Sequence, residues 1–175
     1  MNLVHFITKV RNNSYIDLSF IYTLSIFVTE QDIFLLSDVN TANQIYASFK
    51  HIWHGKEYEI ILQDVGDEAE DPSARTNLLH QLLFILLTAW FRSRVVCDAL
   101  YLINVPLGVL ERAVRFVPEW QKSIGTLQKL NFNAQESEDK NQRQEDYAFL
   151  DRLLQKTSNL RVLEIDVIRS NGGAD

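Results

Sequence analysis

A short apolar phrase, Leu-x-x-Leu-x-Leu in character, comes back along this chain at intervals of about one helix plus one strand. It is clearest as Leu160, Leu163 and Ile165 in NLRVLEIDV, and again as Leu127, Leu130 and Phe132 in TLQKLNF. Cys97, Leu100 and Leu102 in CDALYLI form another copy, and Ile21, Leu24 and Ile26 in FIYTLSIFV the N-terminal one. EYEIIL is weaker and keeps only Ile60 and Leu62. Aligned on Leu24, Ile60, Leu100, Leu130 and Leu163, the copies stand roughly 30 to 40 residues apart, the period of solenoids and other repetitive β/α sheets. In such folds each unit buries its apolar face only against its neighbours, which constrains the architecture before any single residue is considered.

The segments between the phrases carry helical spacing. Asp38 or Asn40 can cap a helix whose stripe is Ile45, Tyr46, Phe49, Ile52 and Trp53, with Gly55 placed to end it. Ser73 can cap a helix that runs to about Arg92, and Pro106 suits the first turn of one bearing Leu107, Leu110, Val114 and Val117. A last helix, near Glu145 to Lys156, presents Tyr147, Leu150, Leu153 and Leu154. Strands alternating with helices imply parallel pairing through right-handed crossovers. The expectation is therefore an α/β, leucine-rich-repeat-like open arc of about five parallel strands, near 20–28, 57–63, 98–104, 126–133 and 160–167, with helices on the convex side. Residues 1–175 read as one domain, with an acidic loop at 64–71, a polar loop at 134–145 and a frayed tail at 170–175.

Bulk properties narrow the partners. A net charge of −6 argues against a nucleic-acid surface, which is built on clustered Lys and Arg. Cys97 is the single cysteine, so no disulfide forms within the chain, and an intracellular setting, cytoplasmic or nuclear, is expected. No membrane association is expected. Leu18 to Val28 alternates with Ser and Thr as a strand does, and Leu78 to Phe91 falls short of the ~20 residues that span a bilayer. That second run instead reads as a helix buried on nearly every side.

The run FLDRLLQKTSNLRVLEIDV (Phe149 to Val167), a helix, a turn and then Asn-Leu-x-x-Leu-x-Ile, resembles the leucine-rich repeats of F-box-like proteins, especially the divergent fungal set. ALYLINVPLGVLERAV with SIGTLQKLNFN, and the opening RNNSYIDLSFIYTLSIFV, have the same look. The likeness is one of pattern over most of the chain. Thr29, Val105, Gln135 and Ile168 stand where ordinary leucine-rich repeats carry Asn or Cys, and no Leu-Pro-rich F-box segment precedes the first strand. The resemblance implies a substrate-facing repeat region without the adaptor-binding part. It also implies either a homo-oligomer or a fragment of a longer repeat protein, since neither end has a polar capping unit.

Candidate chemistry is sparse. His51 and His54 have helix-compatible spacing for a metal but lack a neighbouring Glu and a third ligand. Cys97 occupies a buried phrase position, and the acidic run Asp64 to Asp71 lacks the register of a calcium loop. With no phosphate-binding glycine motif and no nucleophile elbow, neither a cofactor nor catalysis is expected. What remains is a surface. The outward neighbours of the phrase residues include Phe27, Glu59, Ile61, Tyr101, Ile103, Lys129, Asn131 and Glu164, an apolar patch with a polar rim of the kind that binds a protein. The reading is non-catalytic protein recognition. The alternative is a compact α/β enzyme with a site at the strand carboxyl ends, where Asp64, Asn104 and Asp166 fall.

Overall fold

Alternate side chains along the strands are buried, and the side they share is the one marked by the recurring phrases. The computed structural model describes residues 1–11, 23–50, 57–63, 70–93, 97–120, 129–135, 139–157, 159 and 161–168. It opens with a helix absent from the sequence reading, α1 (Leu3–Arg11), whose first turn is capped by Asn2: His5 N–H donates to Asn2 Oδ1 at 2.9 Å. There follow β1 (Thr23–Val28), a 3-10 helix (Glu30–Ser37), α2 (Thr41–Lys50), β2 (Glu57–Leu62) and α3 (Pro72–Ser93). Then come β3 (Ala99–Ile103), α4 (Leu107–Phe116), a short 3-10 turn (Pro118–Trp120), β4 (Lys129–Gln135), α5 (Lys140–Gln155) and β5 (Val162–Ile168).

The strands pair in chain order, every pair parallel. Leu24, Ile26 and Val28, Tyr58, Ile60 and Leu62, and Leu100 and Leu102 face one core with Leu3 and Phe6 of α1, Ile45 of α2 and Phe149, Leu150 and Leu153 of α5. The centre of that core is α3, where Leu79, Leu82, Leu83, Leu86, Leu87, Trp90 and Phe91 are all buried. At the outer edge of β1, Phe27 N–H donates to Met1 O at 2.9 Å, and the Met1 amino group donates to Ser25 O at 2.9 Å. Residues 1 and 2 thus occupy edge groups that would otherwise template pairing with another chain.

The expected leucine-rich-repeat-like arc, with helices on the convex side of a solenoid of about five strands, is overturned. Backbone and side-chain packing together are described for three parallel strands, β1 to β3, in one open sheet; β4 and β5 extend the pairing largely as described backbone. The helices against this sheet do not repeat. Among the described residues, one crossover holds an 8-residue 3-10 helix and a 10-residue α2, the next the 22-residue α3, and the next a 10-residue α4 with the short 3-10 turn. At 1.5 Å per residue α3 is about 33 Å long, whereas a six-residue strand spans about 20 Å. Ten-residue neighbours cannot cover such a helix, so the two 3-10 helices pack against it as well. A solenoid needs equivalent units, and these are not.

Three local expectations change too. Tyr58, not Ile60, stands in register with Leu24 and Leu100, a shift of two residues that leaves the facing unchanged. Asp71 takes the capping role expected of Ser73: Ala74 N–H donates to Asp71 Oδ1 at 3.2 Å, with Pro72 in the first helical position. The loop expected at 134–145 is mostly regular structure, because β4 runs to Gln135 and α5 starts at Lys140. There Asp139 accepts from Asn141 N–H at 2.9 Å, and a solvated first turn needs no apolar residue to form. Residues 64–69 of the acidic loop and the tail 170–175 lie outside the described residues.

Candidate binding face

The two sides of the β1–β3 sheet differ in chemistry. Opposite the buried set, Ser25, Glu57, Glu59, Ile61, Tyr101 and Ile103 are partly exposed, and Phe27 is 36% exposed. Parallel pairing assembles these residues into rows. Phe27, Ile61 and Ile103 lie side by side across three strands, and the register continues to Asn133 and Asp166. The next row runs Ser25, Glu59, Tyr101, Asn131 and Glu164; the one beyond it holds Glu57, Ala99, Lys129 and Val162. With strands about 4.8 Å apart, the apolar row is about 10 Å wide.

Of the eight residues singled out from the sequence, Phe27, Glu59, Ile61, Tyr101, Ile103 and Glu164 have exposed or partly exposed side chains, and Lys129 and Asn131 are placed by strand register. Phe27, Ile61 and Ile103 share a row, Glu59, Tyr101, Asn131 and Glu164 share the next, and Lys129 sits in the third. Sequence reasoning missed a contact inside the face: Ser25 Oγ donates to Glu59 Oε2 at 2.6 Å, across strands and far apart in sequence. That bond holds the Glu59 carboxylate beside the apolar row.

The other candidates are placed differently. Cys97 is buried, and burial, reinforced by the nearby Asp98 carboxylate, pushes its thiol up to about 12, so it carries no nucleophilic thiolate at neutral pH. His51 and His54 lie outside the described residues, as does Asp64. Asn104 adopts a left-handed backbone (φ 57°), and its Nδ2 donates to Leu62 O at 3.4 Å, a role in shaping the turn after β3. Asp166 stands two strands away from β3, in register with Ile103. Among the described residues, no group of three or more His, Cys, Asp or Glu is placed to hold a metal ion, and no helix is long and apolar enough to cross a membrane.

A second surface feature was also missed. An open groove of about 660 Å³ lies between Tyr46 of α2 and the ends of α3 and α4, lined by Arg92, Ser93, Phe116, Val117, Pro118 and Glu119. Its wall is a stack in which Arg92 lies 5.0 Å from the Phe116 ring, Phe116 meets Phe84 edge-on at 5.6 Å, and Arg112 covers Phe84 at 5.3 Å. The groove is lined by helix ends and the turn after α4, and its one lining arginine, Arg92, is already engaged with the Phe116 ring.

No protein family, curated protein or solved structure matches this chain.

Proposed function

We propose that this protein is a non-catalytic recognition module that binds a protein partner on the outward face of its sheet. The supporting observation is the contiguous row of Phe27, Ile61 and Ile103, partly exposed on a side opposite the core, with Glu59 and Tyr101 beside it. The five described α-helices and the longer 3-10 helix contribute buried apolar side chains to the core on the other side. An apolar centre with a polar margin supplies desolvation energy where a partner docks and orientation at its rim. The resemblance to F-box-like proteins extends this reading to holding a substrate, and that extension rests on sequence pattern alone.

The test uses Ile103→Asp and Tyr101→Asp. Both should keep the thermal unfolding midpoint within a few degrees of the parent, as expected of outward positions, while removing partner retention in affinity capture. Unfolding of either variant at ordinary temperature would show that the face is buried and would sink the reading.

A further inference from the structure

We infer that the segment accepted by this face is amphipathic and basic, with aliphatic or aromatic side chains for the Phe27–Ile61–Ile103 row and Lys or Arg beside them; this rests on the binding face proposed above. Among the described side chains, the outward positions beside the row carry the carboxylates Glu57, Glu59 and Glu164. Glu59 and Glu164 share the row of Tyr101, next to the apolar row. The chain as a whole is also acidic, at −6, so the wider field reinforces this local charge. Charge at an interface selects partners chiefly by penalising like-charged ones.

That rule separates the occupants. A second copy laid face to face would set carboxylates against carboxylates around its apolar row. An anionic membrane surface or a nucleic acid meets the same repulsion. A segment with apolar anchors and neighbouring cations satisfies both parts of the face. Its cations would add to association rate and salt dependence, its apolar groups to residence time.

The experiment pans a displayed random-peptide library on the intact chain, on Phe27→Asp and on Ile61→Asp, both variants first shown to be folded by circular dichroism. Peptides kept by the intact chain and lost on both variants are ligands of the face. They should be enriched in Lys and Arg next to aliphatic or aromatic residues. A synthetic copy of the strongest should bind about tenfold more weakly to Glu164→Lys, and more weakly as salt rises. Face ligands that are neutral or acidic, or that ignore Glu164→Lys, overturn the basic-partner inference and leave the recognition reading standing. If no peptide distinguishes the intact chain from Phe27→Asp and Ile61→Asp, both fail.

Discussion

Val4 N–H donates to Asp32 Oδ1 at 2.9 Å, tying the first turn of α1 to the 3-10 helix that follows β1. Asp32 is completely buried, and its Oδ2 also accepts from Thr29 N–H at 2.8 Å and Thr29 Oγ1 at 3.1 Å. A carboxylate there satisfies an orphan donor of a helix N-terminus and sits at the positive end of its dipole. Asp32→Ala would remove all three bonds and leave the part-buried Val4 N–H without that acceptor. Its expected cost is about 2–3 kcal/mol in urea unfolding. Asp32→Asn keeps the shape and one acceptor oxygen, and should lose less. A cost for Asp32→Ala below about 0.5 kcal/mol would mean that α1 is held by burial of Leu3 and Phe6 alone.

Cys97 should resist thiol reagents while the chain is folded. With its thiol pushed up to about 12 from 9.0, the thiolate is scarce and the sulfur is buried. The unfolded chain, whose cysteine ionises at its ordinary value, releases this proton first as pH rises. The folded state is therefore progressively disfavoured above pH 9.0 until the folded value is passed. Labelling by an aromatic disulfide at mildly alkaline pH should be slow natively and fast in denaturant. Cys97→Ala should flatten the alkaline loss of stability.

His80 lies on α3, its pKa lowered first by burial and then by the Arg112 guanidinium. The folded state thus favours neutral imidazole, while the unfolded chain takes up a proton below 6.5. The associated stability is present above that value and declines as pH falls toward the lowered folded value. His80→Gln should reduce the difference in unfolding midpoint between about pH 7.5 and about pH 5.5. Arg112→Ala should raise the imidazole pKa, readable by NMR titration, although it also removes the cation from the Phe84 ring.

The inward alternation of β1–β3 was legible because a period of two sorts side chains by face wherever one side is buried. The register was less so. Tyr58 and Ile60 point the same way, so alternation alone cannot choose which of them pairs with Leu24. The recurring phrase describes strands and is silent on crossovers, which is why it suggested a solenoid although the sequence also showed one long helix up to about Arg92, the 22-residue α3. α1 had a local signal, Asn2 followed by the stripe Leu3, Phe6 and Ile7, but its tether to Asp32 is a tertiary contact. The outward side of the sheet shows the same division. The alternation of β1–β3 could be read strand by strand, whereas the rows and the Ser25–Glu59 bond arise only from pairing between distant segments.

Ile60 and Ile61 give the most direct measurement of the difference between the two faces. They are the same residue type in adjacent positions of β2, so replacing either by Ala changes strand propensity by a similar amount. Ile60 is 1% exposed and packed in the core, whereas Ile61 is partly exposed between Phe27 and Ile103. Ile60→Ala leaves a cavity as well as losing buried area, and should cost about 3 kcal/mol. Ile61→Ala should cost about 1 kcal/mol or less, since its side chain already meets solvent. Paired denaturation curves measure this difference without knowledge of any partner. Equal costs near the larger value would mean that both faces are packed, and the proposed binding surface would then be part of the core.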